Sequence, residues 1–248
     1  MRYAVLSDIH ANLEALEAVL AHEACRSADA LLVLGDLVGY GADPNAVVER
    51  VRALAPLAIV RGNHDKVAAS LGTADDFNEL ARSAARWTAD ELTDDNLEYL
   101  KQLPIGPLEV SDLVEICHGS PTDEDAYIVS DRHAARAIKS ATRPLCLFGH
   151  THVAGVGRMS ADHHFRVVGR GSKLSGPVAL DADARYLVNP GSVGQPRDGD
   201  RRAAFAVLDT EAPSITLYRA AYPVEAAQAK ILAAGLPSLL AHRLSIGQ

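Results

Sequence analysis

The sequence predicts an α/β fold of α+β character, and three features carry that prediction. Short apolar runs alternate with amphipathic stretches as far as residue 152, the pattern of strands separated by helices. Five of these runs end in Asp, Asn or His: Tyr3 to Leu6 leads into Asp8 and His10, Ala30 to Leu34 into Asp36, Leu57 to Val60 into Asn63, His64 and Asp65, Leu113 to Cys117 into His118, and Leu145 to Phe148 into His150 and His152. Beyond His152 the rhythm changes to short strands broken by Gly, Pro, Asp and Ser, as in antiparallel meanders. In an open α/β sheet the carboxyl ends of the strands form the ligand crevice, so the polar residues are expected on one rim.

Taken in order, Asn12 is placed to cap a helix whose Leu13, Leu16, Val19 and Leu20 share a face. The run from Ala30 is too short for a helix and delivers one carboxylate, Asp36, at its end. Asp43-Pro44 then offers an N-cap and a first-turn proline to a helix carrying Ala46, Val47, Val48 and Val51, which Pro56 closes. Residues 1–65 therefore read as βαβαβ, expected to wind right-handed into a parallel sheet.

From residue 66 to 103 the pattern is helical, with Phe77, Leu80, Ala84, Leu92, Leu97 and Leu100 in register, broken by Gly72 and by the acidic turn Thr93-Asp94-Asp95-Asn96. Lying between two ligand-bearing strands, this stretch is expected to be a helical cap inserted over the site, with ordinary sheet cover as the alternative. Asp131 to Lys139 reads as a short helix. Later strands are expected over 165–168, 178–180, 186–189, 203–208 and 215–218, then a helix over roughly 224–234 and a last short turn after Gly235-Leu236-Pro237. With no repeat and no low-complexity linker, residues 1–248 read as one domain.

A composition of 48% hydrophobic and 23% charged residues supports a buried core and excludes a disordered chain. No apolar run reaches the length a bilayer needs, so no membrane partner is expected. Met1 to Leu6 passes straight into a strand with no small-residue cleavage site, which reads as no signal peptide and a cytoplasmic address. Lys and Arg number 24 against 32 Asp and Glu, and 24 − 32 = −8. Such a surface repels a nucleic-acid backbone at long range, but leaves room for a small phosphorylated substrate held by metal. The three cysteines, Cys25, Cys117 and Cys146, lack CxxC spacing and read as small core residues. The oligomeric state is not legible.

Asp8, His10, Asp36, Asn63, His118, His150 and His152 offer seven N and O donors and no thiolate, too many for one tetrahedral zinc. They suit two ions. Mixed imidazole and carboxylate ligation admits Mn²⁺, Fe, Co²⁺, Ni²⁺ or Zn²⁺. One carboxylate must bridge if two dications are to sit about 3.5–4 Å apart, as two-metal hydrolytic sites require.

Asp8-x-His10, Gly35-Asp36-Leu37-Val38-Gly39, Gly62-Asn63-His64-Asp65, His118-Gly119 and Gly149-His150-Thr151-His152, in that order, resemble the five signature blocks of the calcineurin-like metallophosphoesterases. Asn189-Pro190-Gly191-Ser192 resembles a further turn of that family. The resemblance implies a four-layer α-β-β-α sandwich of two facing mixed β-sheets; the added 66–103 stretch, which minimal members of the small prokaryotic phosphodiesterase branch lack, makes the chain similar to a longer branch described as diadenosine-tetraphosphatase-like or phosphoprotein-phosphatase-like, labels that do not name the substrate. It implies that Asp8, His10 and His152 hold one metal, that Asn63, His118 and His150 hold the other, and that Asp36 bridges. Mn²⁺ is the expected ion. The implied reaction is attack on phosphorus by a metal-bridging hydroxide, on a phosphodiester or small phosphorylated metabolite. His64 would hydrogen-bond a phosphoryl oxygen or protonate the leaving alkoxide, with Asp65 orienting its ring and favouring the imidazolium. The competing readings are a phosphomonoesterase, including a phosphoprotein phosphatase, and a non-catalytic interaction scaffold of the same fold. Scaffolds tend to lose the catalytic histidine, and His64 is present.

The remaining candidates are weaker. Tyr40 is equally suited to stacking on a substrate and to packing at the rim. Arg197, in Gln195-Pro196-Arg197-Asp198-Gly199, could reach a phosphate but reads better as a solvated hairpin tip, and Arg61 has the same status. His163-His164 reads as loop surface, and Trp87, at helical spacing from Leu80 and Ala84, as packing.

Overall fold

The computed structural model describes residues 1–171, 174 and 176–248. Its first half follows the predicted alternation: β1 (Arg2–Leu6), α1 (Leu13–Ala21), the short α2 (Glu23–Arg26), β2 (Ala30–Val33), α3 (Pro44–Leu54) and β3 (Ala58–Ile59). α1 starts where Asn12 accepts from the Ala15 N–H at 3.1 Å. α3 starts at Asp43 without a side-chain cap. The Asp43 carboxylate is taken instead by Lys230 at 2.8 Å, so proline geometry alone sets that N-terminus.

Residues 63–102 hold three helices, α4 (Asn63–Ala68), α5 (Glu79–Glu91) and α6 (Asp94–Gln102). β4 (Leu108–Glu109), β5 (Val114–Ile116), α7 (Asp131–Ser140) and β6 (Leu145–Leu147) follow, then β7 (Gly155–Met159), β8 (Phe165–Arg170), β9 (Pro177–Ala179), β10 (Arg185–Asn189), β11 (Ala203–Asp209) and β12 (Ser214–Ala220). The chain closes with α8 (Val224–Ala233) and α9 (Ser238–Ile246). The expected last short turn is thus a nine-residue helix. Gly235, at φ 69°, turns the chain, and Leu240, Ala241 and Leu244 give α9 a buried face.

The strands form two six-stranded mixed sheets, in the orders β3-β2-β1-β11-β12-β9 and β4-β5-β6-β10-β7-β8. The first three strands are parallel, as the βαβαβ reading requires. The later strands are not one meander: β11 inserts antiparallel beside β1, and β10 lies between parallel β6 and antiparallel β7. β7 escaped the sequence reading because Gly155-Val-Gly-Arg-Met159 carries two glycines where strand-forming side chains would signal.

The inner faces of the sheets meet in one core, where Val5, Leu32, Leu34 and Val60 oppose Ile116, Leu145, Leu147 and Val188. The outer face of the first sheet packs Leu6, Val33 and Phe205 under α1, α3 and Leu100 of α6. The outer face of the second packs Cys146, Leu187 and Met159 under Ala137 and Ile138 of α7. These are four layers, α-β-β-α. All three cysteines are buried and unpaired.

α6 is therefore sheet cover, whereas α5 packs Ala81 and Ala84 against α8 and α9. The linker before α5 carries Phe77 to the site. Among the described residues no helix is long and apolar enough to cross a membrane.

Candidate active site

All seven expected ligands converge at the carboxyl ends of β1, β2, β3, β5 and β6. Their backbones are unusual. Asp8, His10, Asp36, His150 and His152 lie in the left-handed region, with φ between 50° and 66°. That conformation costs a non-glycine residue of order 1–3 kcal/mol and persists where surrounding structure dictates it. Here the loops lock one another: Asp8 N–H donates to Gly35 O at 3.0 Å and His10 N–H to Asp36 O at 3.0 Å, while Gly149 N–H donates to His118 O at 2.8 Å. Gly62 has no room for a side chain, since a Cβ there would lie 2.1 Å from Asp36 Oδ1.

Two groups of donors result, Asp8, His10, Asp36 and His152 in one and Asp36, His118 and His150 in the other, every member buried. Asp36 belongs to both. Its Oδ1 accepts the His64 N–H at 2.8 Å, and its Oδ2, without a hydrogen-bond partner, stands 3.5 Å from His10 Nε2 and 3.4 Å from His118 Nε2. Asn63 Oδ1 is 3.1 Å from His118 Nε2, which places Asn63 with the second group.

Each of the four imidazoles is anchored on its outward nitrogen by a backbone carbonyl: His10 by Val38 at 3.0 Å, His118 by Leu34 at 2.8 Å, His152 by Gln195 at 2.7 Å and His150 by Asp125 at 3.1 Å. A neutral ring that donates outward must turn a lone pair inward. Yet His10 Nε2 faces His152 Nε2 at 3.0 Å, and His118 Nε2 faces His150 Nδ1 at 3.1 Å. The lone pairs of His10 and His152 repel at such a separation, and a cation between them would turn that repulsion into coordination. The donor set fits divalent metal on this ground.

The electrostatics agree. Burial pushes Asp8 up to about 7, with His118 opposing and Asp36 adding. Burial opposes a charged His118, but the Asp36 carboxylate overcomes it and raises the ring to about 10. Burial and then His118 bring His150 down to about 3, and burial holds His10 and His152 well below the ordinary range. Without cations the cluster thus retains protons on Asp8 and His118 that metal would displace.

His64 stands beside this cluster, its ring 4.9 Å from His10, 4.4 Å from Tyr40 and 4.6 Å from Phe77. Its Nδ1 is sealed against Gly39, which is at φ 89°, and finds no partner. Asp65 does not orient this ring. Its Oδ1 accepts the N–H groups of Leu37 and Val38 at 2.8 and 3.2 Å, and its Oδ2 that of Gly62 at 3.0 Å. Consecutive helical residues point about 100° apart, so Asp65 at the third position of α4 faces the Asp36 loop and positions it. Nor is the imidazolium favoured, because burial lowers His64 to about 4 with the Asp36 carboxylate in opposition.

Arg197 is not a solvated hairpin tip. Its backbone N–H donates to His152 O at 3.1 Å, Gln195 Oε1 takes its Nε and Nη2, and its guanidinium lies 5.6 Å from the centroid of the buried Tyr40 ring. Arg61 is bound bidentately by Glu124, at 2.9 and 2.8 Å, and Lys66 reaches Glu124 and Asp125 at 3.0 and 2.6 Å. These pairs hold the loop that supplies the Asp125 carbonyl and Tyr127, whose ring stacks 3.7 Å from His150. Tyr127 carries no sequence signal of a site, and Phe77 only that of the helical pattern over 66–103. His163 and His164 are exposed and remote from the cluster, and Trp87 packs with α8 and α9.

A fold of this kind bearing such a site defines a metal-dependent hydrolase. The model of the calcineurin-like phosphoesterase superfamily domain matches residues 1–213. The uncharacterized protein MJ0912 of Methanocaldococcus jannaschii is 35% identical over 249 residues, 99% of this chain and 98% of its own. The crystal structure of a metallophosphoesterase from Sphaerobacter thermophilus is 39% identical, with a TM-score of 0.85 over 100% of this chain and 99% of that one. The protein PH1004 of Pyrococcus horikoshii OT3, at 20% identity, TM-score 0.78 and coverage of 100% and 98%, shares the fold. The chain belongs to the calcineurin-like phosphoesterase superfamily and is a metal-dependent phosphoric ester hydrolase.

Proposed function

We propose that the protein hydrolyses a phosphodiester of a small metabolite with two divalent cations, Mn²⁺ foremost. Asp8, His10 and His152 would hold one ion, Asn63, His118 and His150 the other, and Asp36 both. The observation that carries this is Asp36 Oδ2, which has no hydrogen-bond partner and stands between two buried imidazole groups. Bound there, such ions supply an ionised water near neutral pH and charge neutralisation at phosphorus.

The chain's own residues do the rest. His64 Nε2 opens on a cleft of about 500 Å³ walled by Tyr40, Phe77, Tyr127 and His150, where it donates a hydrogen bond to a phosphoryl or leaving oxygen. Residues 73–81 supply one wall of that cleft, and through them the 66–103 stretch acts as a cap. Asp76, Asp123 and Asp125 also line it. Lys66 lines the cleft too and is paired with Asp125, and the remaining carboxylates of Asp76 and Asp123 favour a diester with one negative charge over a phosphomonoester dianion. Arg197 is tied to the first group of ligands through His152, and its charge attracts the substrate anion; Arg197→Met is expected to raise KM about tenfold or more with two metals retained. An unchanged KM would remove Arg197 from substrate binding.

The test is a substrate panel on protein whose metals have been counted by elemental analysis. With Mn²⁺ added, aryl and alkyl phosphodiesters are expected to turn over faster than the matching monoesters. Faster monoester turnover would replace the diester reading with a phosphomonoesterase.

A further inference from the structure

A second cavity, of about 370 Å³, lies behind the loop that carries His150 and His152, on the α7 side of the second sheet. Its origin is legible in β7. Met159 packs under α7, and residues two apart on a strand share a face, so Gly155 and Gly157 fall on that same face and line the gap, with the Phe165 ring lying over Gly157. Phe148, Val153, Phe165, Val167 and Leu187 form apolar walls around the gap.

The amide and the guanidinium on this lining are already engaged. Asn189 Nδ2 donates to Gly149 O at 2.7 Å and to Thr151 Oγ1 at 3.1 Å, and its Oδ1 accepts the Gly191 N–H at 2.8 Å. Arg170 is paired with Asp131 at 3.0 Å. A nucleobase would find its polar edge poorly matched here, whereas a hydrocarbon would not. Tyr127 ties the cavity to the cluster: it lines this cavity and the cleft over the ligands alike, with its ring on His150. Thr151, between two expected ligands, lines it as well.

We propose that this cavity takes an apolar substituent of the phosphoester, an alkyl chain or unsubstituted aromatic ring, passing the edge of Tyr127. The assignment rests on the hydrolase reading above and adds a substrate class to it: amphiphilic phosphodiesters with one hydrocarbon arm.

Two measurements on the metal-loaded protein test it. Calorimetry should show hexylphosphonate binding at least about tenfold tighter than methylphosphonate, since each buried methylene contributes up to about fourfold. In parallel, kcat/KM for alkyl p-nitrophenyl phosphodiesters should climb from methyl to hexyl. Gly155→Ile fills the cavity at a position where a Cβ meets Gly169 O at 3.4 Å and Arg170 Cγ at 3.5 Å, ordinary contacts. It should abolish both preferences while methyl-ester turnover stays within about twofold. Val167→Trp fills the same space from β8 and covers the case in which Gly155→Ile does not fold. Equal binding of the two phosphonates, or a hexyl preference that survives both variants, overturns the proposal. A hexyl preference lost in the variants, with no ester hydrolysed, leaves the cavity as an apolar site and defeats the diesterase reading alone.

Discussion

Asp36→Asn is expected to lower kcat by at least about 1000-fold, equivalent to ~4 kcal/mol, and to reduce bound metal from two ions per chain to one or fewer. The substitution is nearly isosteric. Asn Oδ1 keeps the His64 N–H that Asp36 Oδ1 now accepts at 2.8 Å, so the start of α4 stays in place. What changes is the other atom: an amide Nδ2 replaces Oδ2, an oxygen 3.5 and 3.4 Å from two imidazole nitrogens and otherwise without a partner. An NH₂ group donates to those nitrogens and blocks coordination at both groups together. Because a bound ion stabilises the folded state by mass action, chelation should lower the Tm of the parent clearly and that of the variant hardly at all. Elemental analysis is the primary readout. Two ions per chain in Asp36→Asn would show that this carboxylate does not join the two groups.

The same residue shows why the cluster was legible before the fold was. Metal chemistry restricts the donors to a few residue types, and strand ends are where an α/β sheet exposes them, so Asp8, His10, Asp36, Asn63, His118, His150 and His152 stand out as punctuation after apolar runs. Arg197 lacks that context. It reaches the cluster because the turn after Asn189 is fastened to β1, Val193 N–H donating to Ser7 O at 3.0 Å and Gly194 N–H to Asp8 O at 2.9 Å, and no local pattern encodes such pairing. Asp65 misled through adjacency: next to His64 in the chain, it faces another loop because α4 begins at Asn63 rather than near residue 66. β7 was hidden by its glycines, and both of them line the apolar cavity. The place where strand propensity fails is thus the place where the fold keeps volume free.

His64→Ala is expected to lower kcat about 100- to 1000-fold, the cost of losing one donor aimed at developing charge, with both metals retained. The ring coordinates nothing, and its Nδ1 is enclosed against Gly39 without an acceptor. A buried N–H without a partner is rarer in proteins than an unfilled lone pair, so the proton belongs on Nε2. Burial keeps the ring neutral down to about pH 4, and dications beside it would lower that value further. His64 therefore acts as a fixed donor, held by Tyr40 and Phe77, and not as a stored imidazolium. The leaving group decides which oxygen it serves. If His64 donates to the departing oxygen, the loss should be greater for alkyl than for p-nitrophenyl leaving groups, whose anions need little help. An equal loss for both places the donor on a non-bridging oxygen. Parental kcat in His64→Ala, with two ions bound and an unchanged Tm, would exclude His64 from the chemistry.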